Sequence, residues 1–179
     1  MTNILQLVLS PRRGWEDIAL DDAEGEEPVA PAFYVLMGIV ALTWVARGIY
    51  VPELGWLRVM ELVVITYGVL FVSYFVGTFV MSVSLESLVT RGEVNERRTR
   101  IFVMFGVSLL ALIMFVANLL PAPTPVLWFL PVYVVVVLWK GAGYLGVSEK
   151  RAGLFTLMAF IAVMLPPMLL GWLFQAVLL

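Results

Sequence analysis

Five long apolar stretches, separated by short polar segments, make up most of this sequence. A helix needs about 20 predominantly apolar residues to cross a hydrocarbon core about 30 Å thick, and every stretch is long enough. The pattern therefore predicts an all-α membrane protein, a bundle of five transmembrane helices. The predicted spans are Ala32–Tyr50, Glu61–Val89, Ile101–Leu120, Val126–Val147 and Ala152–Leu179.

Two different segments precede the first span. Residues 4–9 carry apolar side chains on one side and end at Ser10-Pro11, where proline disfavours helix in the residue before it. This pattern predicts a short amphipathic helix on the inner leaflet, and a disordered leader is the alternative. Residues 14–31 are polar, acidic and rich in turn formers, and they predict an exposed linker. We therefore divide the chain into a cytoplasmic N-terminal region, residues 1–28, and a five-helix domain, residues 29–179.

Lysine and arginine are unevenly distributed over the segments that connect the spans. Nine of the eleven lie in the N-terminal segment and in the second and fourth connections, which share one side of the membrane. Cationic segments stay in the cytoplasm because their translocation is disfavoured. The distribution predicts a cytoplasmic N-terminus and an external C-terminus, and we expect a bacterial inner membrane. Tryptophans, which favour the headgroup level, agree with this orientation: Trp15 and Trp139 fall toward the inner interface, and the outer group is Trp44, Trp56, Trp128 and Trp172.

The amino-acid composition excludes several kinds of catalytic and metal-binding site. The chain is 62% hydrophobic and only 13% charged, against about 25% charged in a typical soluble domain. It has no cysteine and no histidine, which excludes disulfides, thiolate nucleophiles, Cys/His metal sites and histidine catalysis. No residue cluster indicates a reaction, so we expect no enzyme activity and no cofactor. An extended basic face is also missing, so we expect no binding of nucleic acid.

Four charged residues lie within or at the ends of the predicted spans, where ionisable groups are costly and usually paired or functional. Arg47 and Glu61 have similar depths near the outer surface, and Glu86 and Lys140 have similar depths near the inner one. One interpretation is a polar relay for an ion or a proton. We favour two interhelical ion pairs with snorkelling of Lys140, because no ionisable residue lies near the midplane.

Positively charged residues on the predicted cytoplasmic side could bind anionic lipid headgroups or an acidic partner protein. The second connection is especially rich in arginine, and its alternative role is to fix the topology only. The candidate lipid or partner contacts are Arg12, Arg13, Trp15, Arg91, Arg97, Arg98 and Arg100.

Small residues recur at a spacing that lets helix backbones approach closely. They form Ser73-x-x-x-Gly77 and Thr78-x-x-x-Ser82 in the second span, and Ala142-x-x-x-Gly146 in the fourth. Internal packing of the bundle is the favoured interpretation, and a homodimer face is the alternative.

Two short motifs resemble those of one membrane-protein family. Leu9-Ser-Pro-Arg-Arg-Gly-Trp-Glu-Asp-Ile18 is similar to the N-terminal Pro-x-x-x-Trp-x-x-Ile element of Yip1-domain proteins. The segment Gly146-Val-Ser-Glu-Lys-Arg-Ala152 resembles the family's Gly-Val-Ser-x-x-(Lys/Arg)-Ala junction between the last two helices. The resemblance implies a five-helix bundle with a cytosolic N-terminus. Eukaryotic members act in vesicle trafficking with small GTPases, but the Asp-Leu-x-Gly-Pro and Gly-Tyr-x-x-x-Pro signatures are missing here, which implies a prokaryotic type.

These observations lead to two hypotheses of different classes. The first is a non-enzymatic membrane adaptor or organiser that contacts proteins or lipid headgroups through its cytoplasmic N-terminus and loops. The second is a small transporter or channel subunit with a polar site near Glu86 and Lys140. A water-filled path through the bundle would favour the second hypothesis, and a dry interior would favour the first.

Overall fold

A computed structural model describes residues 2–23, 30–89, 94–121 and 124–178. Within these ranges the chain is helical, with no strand. Three single turns of 3-10 helix accompany the α-helices in the described ranges. The α-helices there are α1 (Thr2–Leu9), α2 (Pro11–Ala23), α3 (Ala30–Tyr50), α4 (Gly55–Leu88), α5 (Glu96–Leu119), α6 (Leu130–Lys140) and α7 (Ala152–Leu178).

Four of these helices, α3, α4, α5 and α7, are long and apolar enough to cross a membrane, judged by length and composition. The fourth predicted span gives a different result. Its helix α6 has only 11 residues, and residues 141–146 after it form turns. Gly141 is the C-cap of the helix, and its backbone still has a right-handed helical conformation, with a φ of −75° and a ψ of −6°. The all-helical membrane fold therefore stands, whereas a count of five spans depends on how α6 and its flanks cross.

Helix α5 lies at the centre of the bundle. Its residues Ile101–Leu109 are all buried, and it packs against α3, α4, α6 and α7. A helix that is apolar on all sides is suited to such a position. At its start, the side chain of Asn95 accepts a hydrogen bond from the backbone N–H of Arg98 at 3.1 Å and caps the helix.

The first small-residue motif of α4, Ser73-x-x-x-Gly77, lies at an internal interface, as expected. Ser73 and Gly77 are buried, and a Cβ added to Gly77 would lie 2.5 Å from the carbonyl oxygen of Ala162 in α7. The close approach of the two backbones therefore requires glycine. The motif predicted for the fourth span is wrong, because Ala142 and Gly146 lie in turns beyond α6 and Gly146 has a φ of 72°.

The N-terminal region forms a helical hairpin, α1–α2. The two helices cross closely, since a Cβ on Gly14 would lie 2.7 Å from the Cα of Leu7. The predicted exposed linker is wrong for residues 14–23, which are helical, and Trp15 and Ile18 are buried in the core. The rest of the linker, at residues 24–29, lies outside the described residues. Residues Thr2–Leu9 form helix α1, with Leu7 buried against the bundle and Leu5 and Leu9 exposed. Its amphipathic character and its place on the inner leaflet stay predictions.

Candidate functional site

The chemically most varied part of the described structure is one end of the bundle. We call it the hairpin end: the α1–α2 hairpin, the ends of α4 and α6, and the starts of α5 and α7. The opposite end comprises the end of α3, the start of α4 and the end of α5. Arg151 closes the hairpin end on one side by donating to the carbonyls of Ser87 (3.2 Å) and Leu88 (3.1 Å), the last two residues of α4. A cation at this position satisfies carbonyls that have no partner within the helix.

Trp15 of α2 fixes the hairpin to the bundle. Its indole N–H donates to the carbonyl of Val137 in α6 at 2.9 Å, and only 3% of the residue is exposed. The ring stacks on Phe102 at 5.2 Å and on Tyr144 at 5.4 Å between centroids. Trp15 was predicted to contact lipid or a partner, and that is wrong in this structure because its surface is taken up by the protein itself.

Gly141 makes room for this arrangement. A Cβ at this position would lie 2.5 Å from Cε2 of Phe102 and 2.9 Å from Cε2 of Trp15. Any side chain here would therefore displace one of the two stacked rings. The glycine that ends α6 thus also allows the tryptophan to enter.

Asp22 of α2 forms the second attachment of the hairpin. Its carboxylate, 6% exposed, accepts from Nε of Arg98 at 2.9 Å and pairs with Nε of Arg97 at 3.2 Å. Hydrogen bonds between ionised partners are about twice as strong as neutral ones. Of the arginines predicted to contact lipids or partners, Arg97 and Arg98 are therefore committed to an internal carboxylate, although roughly two-fifths of each side chain stays exposed. We call this group the Asp22 clasp.

Tyr144, in the turns after α6, lies between the tryptophan and the clasp. The guanidinium carbon of Arg98 lies 5.5 Å from its ring centroid, a cation–π contact. Burial raises the pKa of Tyr144 well above its usual value, and nearby Asp22 adds to that effect, while Arg98 and Arg97 oppose it. The phenol therefore stays protonated as a hydrogen-bond donor, and among the described residues its hydroxyl has no partner.

A groove of about 700 Å³ separates the outer face of α2 from the segment that follows α6. Trp15 and Tyr144 are among the residues that line it. The charged and aromatic side chains at its rim are Arg12, Glu16, Trp139, Lys140 and Glu149. Arg12 and Glu16 form an exposed ion pair with 3.1 Å between Nε and Oε1, and the ammonium of Lys140 lies 4.4 Å from the ring centroid of Trp139.

Three of the predicted contact residues remain to be placed, and they are Arg13, Arg100 and Arg91. Arg13 and Arg100 are exposed on α2 and α5, where they are available to a ligand. Arg91 lies outside the described residues, so its role stays a prediction.

The four charged residues predicted to pair within the membrane are not brought together as expected. Arg47 donates instead to the carbonyl of Ala117 at 3.1 Å. Glu61 pairs with Arg58, three residues earlier on α4, at 2.9 Å. Matched depth along the membrane fixes the height of a side chain but not the direction in which it points around its helix. A neighbour on the same helix can therefore replace the interhelical partner.

Glu86 and Lys140 are both exposed, and in the part of the chain that the structure describes no ion pair joins them. Lys140 lies over Trp139 instead, which is its sequence neighbour. An exposed lysine at the end of a helix can extend its ammonium toward water without a carboxylate partner.

The opposite end is held by hydrogen bonds to neutral acceptors, of which one is the bond from Arg47 described above. The indole N–H of Trp44 donates to Oγ1 of Thr66 at 2.7 Å, and the amide of Asn118 donates to Oγ1 of Thr43 at 3.0 Å. Two of the tryptophans predicted at the outer interface, Trp56 and Trp172, are 62% and 69% exposed, in keeping with contact with headgroups.

Sequence analysis missed the partners of Trp15 and Asp22, although one signal was present. Trp15, Ile18, Ala19 and Asp22 follow the i, i+3, i+4, i+7 spacing of one helix face. The acids between them hid this face and made the segment resemble a linker. The acceptor at Val137 is a backbone carbonyl, which a sequence pattern cannot identify.

Comparisons with known proteins found no relative of this chain. No protein family, curated protein or solved structure matches the chain. The resemblance to Yip1-domain proteins therefore depends on the two short motifs alone.

Proposed function

We propose that this protein is a non-enzymatic, multi-pass membrane protein that works as an adaptor or organiser through its N-terminal hairpin and the neighbouring loops. The proposal includes five spans with α6 as the fourth, a cytoplasmic N-terminus, an external C-terminus and a bacterial inner membrane. The proposed ligands are membrane lipids and a membrane or cytoplasmic protein. They meet the exposed charged face of α2.

The observation that carries this proposal is the attachment of the hairpin. Trp15 is almost fully buried and Asp22 is bound by two arginines, so α2 is held in one position. Its other face exposes charged side chains, among them Arg12, Arg13 and Glu16. A surface of charges on a fixed helix is preorganised for a partner, because less conformational entropy is lost on binding.

The two segments that resemble the Yip1 motifs lie near each other, which supports the proposed relationship to that family. Trp15 belongs to the first segment, and its ring stacks on Tyr144, two residues before the start of the second. Val147, inside the second segment, lines the same groove as Trp15.

The alternative, a transporter or channel subunit with a polar site at Glu86 and Lys140, gains no support from their positions. Both side chains are exposed and they are not paired with each other. The adaptor proposal is therefore preferred.

Photo-crosslinking tests the adaptor proposal in whole cells. A photoreactive residue replaces exposed Arg13 on α2, and the same residue replaces exposed Glu53 at the opposite end as a matched control. We expect a discrete protein or lipid adduct from position 13, a different pattern from position 53, and loss of the first adduct when Trp15→Ala releases the hairpin. Adducts that are the same at both positions would contradict the proposal.

The orientation has its own test, because the chain lacks cysteine and single cysteines can be introduced without background. A thiol reagent that cannot cross membranes should label Glu53→Cys in intact cells. It should label Arg13→Cys and Glu149→Cys only after permeabilisation. The reverse pattern would show that the charge distribution does not set the orientation.

A further inference from the structure

The groove at the hairpin end shares Arg12 and Glu16 with the charged face of α2. Two cations, Arg12 and Lys140, and two carboxylates, Glu16 and Glu149, lie around its rim. The rim is therefore neutral overall and carries charges of both signs. An anionic ligand would meet two carboxylates, and a cationic ligand would meet two cations.

We propose that this groove binds the headgroup of a zwitterionic phospholipid with a primary amine, of the phosphatidylethanolamine type. Arg12 and Lys140 hold the phosphate, and Glu16 and Glu149 hold the ammonium. Such a headgroup carries one negative and one positive group and so matches a neutral rim with charges of both signs. The inference names the class of lipid for the lipid contacts of the proposed function, and it rests on that function.

The position of the groove favours a membrane lipid over a soluble ligand. Lys140 and Trp139 end α6, the apolar helix that crosses part of the bundle. Trp139 is 47% exposed, and an indole at the end of such a helix is suited to the headgroup level. Leu9 on α1 and Leu20 on α2 are 83% and 63% exposed, so apolar surface for acyl chains adjoins the hairpin.

Arg12 and Glu16 are free to accept a ligand. Their side chains are 83% and 60% exposed, and an exposed ion pair contributes little stability. Exchange of their mutual contact for contacts with a phosphate and an ammonium therefore costs little. Lys140 rests on an aromatic face, not on a carboxylate, so its three N–H donors are also available.

The aromatic rings favour a primary over a quaternary ammonium. Quaternary ammonium groups are recognised by several open aromatic faces. Here the ring of Trp15 is 3% exposed and stacked on Phe102 and Tyr144, and the face of Trp139 already carries Lys140. A primary ammonium instead donates hydrogen bonds to carboxylates, and the rim provides two.

The test measures lipid retention by the full-length protein with native mass spectrometry. The protein, stripped of lipid in a neutral detergent, is offered phosphatidylethanolamine, phosphatidylglycerol or phosphatidylcholine with identical acyl chains. We expect phosphatidylethanolamine to be retained best. The double variant Arg12→Gln/Lys140→Gln should lower its retention by about two- to fivefold, the size expected for exposed charge contacts. Glu149→Gln should abolish the preference over phosphatidylglycerol.

The matched control is the double variant Arg58→Gln/Lys150→Gln, which removes two cations that do not line the groove. It should retain phosphatidylethanolamine as the unmodified protein does. Equal losses in both double variants would mean nonspecific charge attraction and would overturn the proposal. Preference for phosphatidylglycerol or phosphatidylcholine in the unmodified protein would overturn it as well, and complete competition by free phosphoethanolamine would identify a soluble ligand instead of a lipid.

Discussion

At the hairpin end a carboxylate paired with two arginines and a buried indole hold the bundle together, whereas at the opposite end the described interhelical hydrogen bonds all have neutral acceptors. The first end joins Asp22 to two arginines and Trp15 to a distant carbonyl. The second joins Trp44 to Thr66 and Asn118 to Thr43. Interhelical hydrogen bonds in membranes contribute about 0.6 kcal/mol each on average. The comparison indicates that the contacts between the hairpin and the bundle are stronger than those at the opposite end, although the hairpin lies at the edge of the bundle.

The largest expected effect is that of Trp15→Ala. Loss of a buried aromatic ring costs about 3–5 kcal/mol of unfolding free energy. The carbonyl of Val137 would also lose the hydrogen bond that the indole N–H of Trp15 donates to it. We expect hydrogen exchange at α1 and α2 to accelerate strongly and the thermal transition in detergent to fall. Trp56→Ala, at an exposed tryptophan of the opposite end, should change neither measurement; equal effects of the two variants would remove the contrast between the ends.

Asp22→Asn ranks second. Removal of the negative charge weakens two charge-assisted hydrogen bonds, for a cost of about 2–3 kcal/mol. The two guanidiniums are partly exposed, so water can solvate them and limit the loss. Urea unfolding in mild detergent gives the free energy, with Glu16→Gln as the control because that carboxylate forms only an exposed pair. A control that loses as much stability as Asp22→Asn would refute a special role for the clasp.

Gly141→Ala should cost about 1–3 kcal/mol, the range for overpacked cores. The new methyl group would press on Phe102 and Trp15, whereas Gly143→Ala, two residues later, meets no atom within 4 Å. Near-ultraviolet circular dichroism reports the stacked rings directly. We expect a changed aromatic signal for the first variant alone, and an unchanged signal there would mean that the rings have room to move.

Asn118→Leu at the opposite end should have the smallest effect, about 0.6 kcal/mol. Thr43 keeps its own hydrogen bond to the carbonyl of Val40, so no buried hydroxyl is left without a partner. The thermal transition in detergent measures this change. A loss comparable to that of Asp22→Asn would show that neutral and charged contacts hold the two ends equally.

The long helices could be predicted from the sequence because apolar length alone determines them. The predicted start of the last span at Ala152 is the start of α7, and Ala32–Tyr50 differs from α3 by two residues at one end. The predicted fourth span is longer than helix α6 because the apolar residues counted in it include Ala142, Leu145 and Val147, which lie in or after glycine-rich turns. A run of hydrophobic residues indicates a segment that is removed from water, but it does not distinguish a helix from a buried turn.

The site was less predictable than the fold. The arginines of the second connection were predicted to contact lipids or a partner, but Arg97 and Arg98 pair with Asp22, which was assigned to an exposed acidic segment. The pairing depends on how α2 packs against α5, which is a property of the tertiary structure. Likewise, the predicted partners Arg47 and Glu61 each found another group nearby.

The short helix α6 has a consequence for the surrounding bilayer. With 11 residues it spans roughly 16 Å, about half of a hydrocarbon core. The hydroxyl of Tyr133, near its start, donates to the carbonyl of Val8 at the end of α1, so the tip of the hairpin rises beside this helix. The hairpin thus covers part of α6, which is much shorter than the 34-residue α4. A short apolar segment is accommodated by local thinning of the bilayer, so we expect the bilayer to be thinner beside α6 than beside α4.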